Sequence, residues 1–427
     1  MKKIISRFLL IFVFWTAAYA QQNTLNPDLL TFPVSPEAAR LGTFGEIPVN
    51  LFYGRLEKNI ELFTGNVGEL SLPVQLSYNY GGNRLEETPS IMGLGWQLSV
   101  GGVVSREVRG LPDEHPRGFN NAATKQIINN YINNNGAIMD HEANKLASNF
   151  YDGEADKYNV SVNGIRFSFK IGTDGTPAFL SMHDNKIQIL RNANNDQVIE
   201  GFVLMDANAN QYFFEQKEIN EPFKGYNAFL EEGLPAYTSS WQLSKIIVNN
   251  GEQIDFLYDD NNFMTFNFYA SLQIKKRTPP VPDVNNQGCT NDIIKRKILK
   301  SINYKNFKIT FNYIKLNNYE VYNKLIVRDM NNRIVNSYSF SYSGRRNLLD
   351  NIIKNDIFFH GFEYYGTDLP DFAKSIYDYP KNTDNWGFSN GANNSTPFLV
   401  ERTNYNADKK PNFFETQKGA LKTIYYP

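Results

Sequence analysis

The feature that most constrains the fold of this 427-residue chain is a two-residue alternation of apolar and polar side chains. Apolar residues fill every second position of the sequence LSLPVQLS, which begins at Leu70. Because the side chains of a strand point alternately to its two faces, this pattern predicts a strand with one buried face. A second run, Gly93 to Arg106, places four glycines around Trp96 and predicts a strand whose backbone closely approaches a neighbour. The region from Asn59 to Phe119 is therefore predicted to build a sheet.

Short apolar runs joined by Asn- and Gly-rich turns recur through the rest of the chain. Such pairs predict antiparallel hairpins, since Asn and Gly adopt the positive φ angles that tight turns require. The predicted turns lie at Asn163-Gly164, Asp206–Asn210, Asn249-Asn250-Gly251, Lys305-Asn306 and Asn331-Asn332. Their spacing is uneven, which indicates degenerate hairpin repetition without a fixed period. The segment from Gly344 to Lys381 shows no clear period.

One segment has helical character. Ala122 to Ile132 places its apolar residues at helical spacing, and the sequence NNNG that begins at Asn133 ends the run. A second short helix is predicted for Asp140 to Ala147. Aromatic residues form 14% of the chain and charged residues 20%, a composition that favours strands with polar turns over helical bundles. The predicted fold class is all-β, mainly antiparallel sheets and hairpins in a sandwich- or shell-like arrangement, with a small helical insertion near residues 120–150.

The first 20 residues have the organisation of a secretory signal peptide. A basic start at residues 2–7 precedes an apolar core from Phe8 to Trp15, and Ala18, Ala20 and Gln21 form the predicted cleavage site. The core is shorter than the roughly 20 residues that a membrane-spanning helix needs, and no later segment predicts such a helix. We expect the chain to be exported and to be secreted, held at the cell surface or retained in the periplasm.

The charge balance argues against a nucleic-acid-binding protein, and the single cysteine argues against a protein stabilised by internal disulfides. The chain has 43 basic and 44 acidic residues, and this near-neutral balance predicts no nucleic-acid partner. Cys289 is the only cysteine, so an exported chain has no internal disulfide and must be stabilised by burial. The nearest histidine in sequence is His360, and we expect an inert loop cysteine rather than a reactive thiol.

No residue pattern in the sequence predicts a catalytic residue, a metal site or a cofactor. Asp206 begins a D-x-N-x-N sequence, but Gln211 and Lys217 stand where a calcium loop has Gly and Glu, which favours a hairpin turn. None of the four histidines has another histidine at i,i+2 or i,i+4 spacing, so no zinc site is predicted. The sequence also lacks the nucleophile-elbow and phosphate-loop motifs.

Two kinds of residue leave a functional alternative open. The adjacent acids Asp113 and Glu114, or Glu231 and Glu232, would act as a glycosidase pair only if the fold placed two carboxyl groups across a cleft. Aromatic pairs near the C-terminus would stack on sugars if they were exposed. We expect them instead to fill the core between sheets, where each ring buries about 150–250 Å². The pairs are Tyr364-Tyr365, Phe413-Phe414 and Tyr425-Tyr426.

Four blocks of the sequence occur in a recognisable order. They are SPEAA from Ser35, SYNYGG from Ser77, PSIMGLGWQLSVGGVVSREVRGLPDE from Pro89 and NWGFSNG from Asn385. The hairpin from Trp241 to Asp259 also closes its second strand on Tyr-Asp. These features resemble the N-terminal region of secreted Rhs/YD-repeat proteins, and MGLGWQLSVGG is the most specific of them. The resemblance implies a large β-rich surface or secreted protein whose repeats wind into a shell that can enclose a C-terminal toxin.

This chain departs from that family pattern. It lacks a long downstream repeat array and a recognisable C-terminal effector, and its end resembles a truncated repeat. The predicted organisation is a signal peptide (1–20), an N-terminal β region (21–119), the helical insertion (120–150), a hairpin region (151–275), a Pro-rich loop (276–295) and degenerate YD-like hairpins with a C-terminal loop (296–427).

We therefore expect an exported, non-enzymatic structural or scaffold module without a cofactor. Its binding residues are not predicted, and its partner would be a protein, a glycan or a downstream repeat-containing chain. The alternative is a carbohydrate-binding or carbohydrate-cleaving surface protein, in the second case a glycoside hydrolase.

Overall fold

The computed structural model describes residues 49–50, 55–85, 87–134, 136, 139–147, 150–222, 235–275, 284–370, 381–395 and 406–427. For residues 260–293 it describes the backbone alone where it describes them at all. The predicted cleavage residues Ala18, Ala20 and Gln21 lie outside the described residues, as do Glu231 and Glu232.

The described part of the chain forms 21 strands and three short helices, which confirms the all-β fold with a small helical insertion. The elements up to β9 are β1 (Val49–Asn50), β2 (Arg55–Leu56), β3 (Lys58–Val67), β4 (Leu70–Tyr78), β5 (Trp96–Ser99), β6 (Gly102–Glu107), α1 (Ala122–Asn133), α2 (Asp140–Ala147), β7 (Lys157–Val162), β8 (Ile165–Ile171) and β9 (Pro177–Phe179). The later elements are β10 (Lys186–Asn192), β11 (Asn195–Met205), β12 (Gln211–Pro222), β13 (Tyr237–Ile247), β14 (Gln253–Lys275), β15 (Val284–Tyr304), β16 (Phe307–Leu316), β17 (Tyr319–Asp329), β18 (Ile334–Ser343), β19 (Leu348–Lys354), β20 (Ile357–Tyr364), α3 (Phe413–Thr416) and β21 (Leu421–Tyr425).

Sixteen of these strands form one antiparallel sheet. The main path of the sheet is β21-β20-β19-β18-β17-β16-β15-β12-β13-β6-β7-β8-β9, while β14 lies between β13 and β15, and β10 and β11 extend from β12. Strands β15 to β21 pair in chain order, as hairpin repetition predicts. A separate three-stranded sheet has the order β3-β4-β5, and β1 pairs with β2.

The predicted turns connect the strands as expected. Asn163 and Gly164 join β7 to β8 with φ angles of 44° and 81°, and Asn332 joins β17 to β18 with a φ of 63°. The hairpin β19–β20 was not predicted, because Gly344 to Lys381 shows no clear sequence period. Its turn has the same chemistry, since Asn355 and Asp356 both adopt positive φ.

One sequence prediction was wrong in detail. The run from Gly93 to Arg106 forms two strands in different sheets, because the chain turns at Gly101, which has a φ of 79°. Of the loop predicted for 276–295, the residues from Val284 onward lie in β15, which pairs with β14, and residues 276–283 lie outside the described residues.

The alternating face of β4 packs against the large sheet. The apolar residues from Leu70 to Leu76 are buried, and they share one core with residues of both sheets. Gly65 of β3 lies against the ring of Phe307, where an added Cβ would be 2.5 Å from the ring. The hydroxyl of Tyr338 donates a hydrogen bond to the carbonyl oxygen of Leu62. The three-stranded sheet β3-β4-β5, which we call the N-terminal sheet, is therefore joined to the C-terminal half by apolar packing and by a buried hydrogen bond.

Candidate partner-binding site

The block SYNYGG contacts the last strand of the chain. The hydroxyl of Tyr78 accepts a hydrogen bond of 2.8 Å from the backbone N–H of Leu421, across 343 residues of sequence. The N–H of Asn83 donates to the carbonyl of Thr416 at 2.7 Å. Because unpaired backbone groups are costly when buried, these contacts fix β21 and α3 against the N-terminal sheet.

The block MGLGW contacts the same C-terminal region. A Cβ on Gly93, whose φ is 89°, would lie 2.0 Å from the carbonyl oxygen of Asn347, so only glycine fits here. The neighbouring N–H of Leu94 donates to that same oxygen at 3.2 Å. The indole N–H of Trp96 donates to the hydroxyl of Tyr364 at 2.9 Å. Burial raises the pKa of that phenol well above its usual value, so Tyr364 acts only as a neutral hydroxyl.

The block NWGFSNG forms a tight turn next to the segment that follows SYNYGG. One carboxylate oxygen of Asp384 accepts the N–H groups of Trp386 and Phe388 at 2.8 and 3.0 Å, which is typical of an Asx turn. The guanidinium of Arg84 lies 4.7 Å from the centre of the Phe388 ring. Phe388 is thus anchored to the segment that follows SYNYGG, while Trp386 projects outward.

Three large aromatic side chains near this turn are exposed. Trp386 is 66% exposed, Phe413 71% and Phe414 74%. We call these three residues the aromatic surface. Asn412, the N-cap of α3, accepts the N–H of Phe414 at 3.1 Å and donates to the carbonyl of Asn390 at 3.4 Å. The exposed rings are therefore carried by backbone that is held through hydrogen bonds.

The expectation that the C-terminal aromatic pairs fill the core was wrong for most of them. Tyr364 is buried, but Phe413, Phe414, Tyr425 and Tyr426 are each at least half exposed. Phe413 and Phe414 both lie on the helix α3, which is only four residues long and has no buried residue. Sequence reasoning identified these residues and assigned them the wrong environment.

A cavity of about 380 Å³ is lined by Ser389 of the NWGFSNG turn, by Glu415 of α3 and by residues that follow β20. Its lining is mixed, with apolar groups such as Leu369 beside polar groups such as Asn382 and Ser389. Lys418 contacts the carboxylates of Asp368 and Glu415, both of them lining residues, at 3.0 Å each.

The acids Asp113 and Glu114 do not lie across a cleft. Asp113 is 1% exposed, and its carboxylate accepts the N–H of Asp156 at 3.0 Å. Glu114 accepts a hydrogen bond of 3.0 Å from Arg106, whose Nε also donates to Asp156 at 2.7 Å. The two adjacent acids thus belong to one cluster around a single arginine, in which Asp113 is buried and the side chain of Glu114 is 30% exposed. The buried carboxyl of Asp113 has no open path to a sugar.

The remaining sequence candidates have local roles in the structure. Asp206 accepts hydrogen bonds from the N–H groups of Asn208 and Asn210, each at 2.9 Å, and forms the turn between β11 and β12. Burial lowers the pKa of His360 to about 4, so its imidazole is neutral at physiological pH. The backbone of Cys289 lies in β15, and its side chain is outside the described residues.

Neither a candidate metal site nor a candidate membrane-spanning helix occurs among the described residues. No group of three or more His, Cys, Asp and Glu side chains is placed to hold a metal ion. No helix in the same part of the chain has both the length and the apolar character to cross a membrane.

Comparison with known proteins gives no sequence relative. No protein-family model and no curated protein matches the chain. Similar solved structures include a Tc holotoxin pore of Photorhabdus luminescens (10% identity, TM-score 0.40, covering 73% of this chain and 16% of the other). They also include the N-terminal domain of the effector SpvB from Salmonella typhimurium strain LT2 (10%, 0.33, 70% and 98%) and a TcdB2–TccC3 complex (10%, 0.30, 68% and 16%). TM-scores below 0.5 fall short of a common fold, so these likenesses assign neither a fold nor an activity.

Proposed function

We propose that this chain is an exported, non-enzymatic β scaffold that binds a partner through the aromatic surface. The observation that carries the proposal is the exposure of Trp386, Phe413 and Phe414 on backbone that is held by hydrogen bonds. Aromatic side chains dominate the binding energy of protein interfaces, because each covers a large apolar area with few rotatable bonds. A fixed backbone lowers the entropy lost on binding.

The contacts between distant segments support the scaffold part of the proposal. The segments that carry and support the aromatic surface are joined by hydrogen bonds from Leu421 to Tyr78 and from Asn83 to Thr416. This arrangement positions the exposed rings relative to the whole N-terminal sheet. The sequence resemblance adds that a downstream repeat-containing chain is one protein partner to test.

The test compares two variants of the exported chain, expressed from residue 21. In the first variant, Trp386, Phe413 and Phe414 are all changed to serine. In the matched control, two other exposed residues are changed to serine: Met182, between β9 and β10, and Met330, in the turn between β17 and β18. Binding to intact cells of the producing strain and to their secreted proteins is measured with labelled protein. We expect the first variant to bind at least tenfold more weakly and the control to bind as the parent chain does. Equal binding by all three proteins would refute the role of the aromatic surface.

Carbohydrate binding is the second candidate, and the exposed ring of Trp386 favours it. A flat aromatic face next to polar groups suits a sugar ring, whose own faces are apolar and whose edge is polar. A glycan array with the same three proteins distinguishes a glycan from a protein partner, because only a glycan partner gives a signal that the serine variant loses. Release of reducing sugar by the parent chain from any glycan that it binds would contradict the non-enzymatic assignment.

A further inference from the structure

The helical insertion leaves and re-enters the large sheet at one point, between the paired strands β6 and β7. Two aspartates join the segments on either side. The N–H of Asp113 donates to Asp156 Oδ2 at 3.1 Å, and the N–H of Asp156 donates to Asp113 Oδ1 at 3.0 Å. We call residues 108–113 and 152–156 the neck. The reciprocal bonds close the neck, so the whole insertion from α1 to α2 is tethered there.

The two carboxylates of the neck have unequal surroundings. Asp156 also accepts hydrogen bonds from the Nε of Arg106 at 2.7 Å and from the N–H of Arg109 at 2.8 Å. Asp113 Oδ2 is buried and accepts no hydrogen bond from the described residues. Asp156 is therefore the carboxylate that keeps its negative charge, because hydrogen bonds and a cation stabilise the ionised form.

The cluster contains more acid than base. Arg106 is its one buried cation, and it already contacts both Asp156 and Glu114. The ring centre of Tyr158 lies 5.9 Å from the Arg106 guanidinium, and the Tyr158 hydroxyl has no hydrogen-bond partner in the described chain. An ionised Asp113 would thus be a second buried negative charge next to Asp156 without a cation of its own.

We propose that Asp113 and Asp156 form a proton-dependent clasp that holds the helical insertion on the sheet. With Asp113 protonated, the neck is closed. When Asp113 loses its proton, repulsion from Asp156 and the gain of hydration favour opening of the neck, and the insertion detaches between residues 108 and 156. The clasp goes beyond partner binding, since it makes the shape of the exported chain depend on the acidity of its surroundings.

The acidity range follows from the same contacts. Burial, and then the charge of Asp156, raise the pKa of Asp113 to about 7. His115 and Asp152 are two further titratable groups in or next to the neck. Burial and the charge of Arg117 lower the pKa of His115, so its imidazole is neutral above pH 7. Burial raises the pKa of Asp152, while the N–H groups that it accepts oppose that shift. Both groups must be separated from Asp113 by experiment.

The test measures hydrogen exchange by mass spectrometry in the complete exported chain between pH 6 and pH 8.5, corrected for the intrinsic pH dependence of exchange. We expect peptides from 108–156 to exchange at least tenfold faster at pH 8.5 than at pH 6, because each pH unit above the pKa shifts the opening equilibrium up to tenfold. Peptides from β16 and β17 serve as the internal reference and should not change. A neck whose corrected exchange is the same across this range would overturn the proposal.

Three variants identify the group responsible. Asp113→Asn keeps the oxygen that accepts the Asp156 N–H but cannot ionise, so its neck should remain protected at pH 8.5. His115→Gln and Asp152→Asn should keep the response of the parent chain. If Asp113→Asn opens as the parent chain does, or if His115→Gln abolishes the response, Asp113 is not the switch. The parent chain alone is sufficient to refute the clasp, whatever the stability of the variants.

Discussion

The indole N–H of Trp96 donates to the Tyr364 hydroxyl at 2.9 Å, and that hydroxyl donates to the carbonyl of Leu349 at 2.6 Å. All of these groups are buried, so each depends on the next for its hydrogen bond. The indole ring also packs on Tyr78 and Phe362, with ring centres 5.0 and 4.6 Å away. One side chain from the most specific sequence block therefore joins the N-terminal sheet to β20 by polar and apolar contacts together.

Trp96→Phe should lower the free energy of unfolding by about 3 kcal/mol, because it leaves a cavity and removes the donor to Tyr364. The matched control is Trp386→Phe, an exposed site where the change should stay within about 0.5 kcal/mol. Urea unfolding followed by circular dichroism measures both. Equal effects at the two sites would show that the buried indole has no special role.

Asp113 should make stability depend on pH in the direction opposite to a paired surface carboxylate. Its pKa is raised from 3.8 to about 7, so between these values the folded state holds a proton that the unfolded state has lost. The stability supplied by this group is therefore full below about pH 4, falls as pH rises to about 7, and is then constant, with a total change of up to about 4 kcal/mol.

Asp113→Asn removes this dependence and should raise stability relative to the parent chain at pH 8 more than at pH 4. Urea unfolding of both proteins at the two pH values gives the difference directly, and the many shared carboxylates cancel in it. A stability gain that is the same at both pH values would mean that Asp113 is ionised throughout.

At the scale of elements, turn residues were the most reliable sequence signal. Asn-Gly and Asn-Asn pairs predicted hairpins because positive φ is a local backbone property that does not depend on packing. The hairpin β19–β20 was not predicted from the sequence, and the reason is physical. Leu348 and Leu349 are both buried, and the register shifts between Ile352 and Ile353, so the strand has no simple two-residue period.

Burial of side chains was predicted less well than turns. The glycine-rich run around Trp96 correctly predicted that the backbone closely approaches a neighbouring segment. Its residues do not indicate that β5 and β6 belong to different sheets. The exposed pair Phe413-Phe414 was predicted to be buried, because two adjacent aromatic residues are typical of a core and the sequence does not show that α3 has only four residues. Likewise, two adjacent acids, Asp113 and Glu114, gave no sign that one would be buried opposite Asp156, since that contact is set by tertiary packing.

Gly93→Ala tests the closest approach between elements. Its Cβ would lie 2.0 Å from a backbone oxygen of Asn347, and its φ of 89° is unfavourable for alanine, so one of the two segments must move. We expect a loss of about 3 kcal/mol or more in stability. Gly251→Ala is the matched control, because Gly251 has a similar φ of 84° with no atom within 4 Å of an added Cβ. That variant measures the backbone strain alone, about 1 kcal/mol. Similar losses in both variants would mean that the contact with Asn347 is unimportant.

At the scale of the whole molecule, the connections between ends of the sequence decide how the chain unfolds. The buried core runs without a break from the three-stranded sheet through β7 and β13 to β20. Hydrogen bonds such as Tyr78–Leu421 span more than 300 residues, so neither end can keep its native contacts when the other is lost. Such non-local pairing also predicts slow folding, because large loops must close before the contacts form.

We therefore expect residues 49–427 to unfold in one transition, although a chain of this length commonly populates intermediates. Trp96 lies in the small sheet and Trp241 in the large one, and both are buried. In the chain from residue 21, the pair Trp241→Phe and Trp386→Phe leaves Trp96 as the fluorescent probe, while Trp96→Phe with Trp386→Phe leaves Trp241. In each protein the fluorescence transition in urea should coincide with the loss of circular dichroism. If Trp96 reports a midpoint well below that of circular dichroism in the same protein, the small sheet detaches first, and the long-range hydrogen bonds do not make the molecule a single cooperative unit.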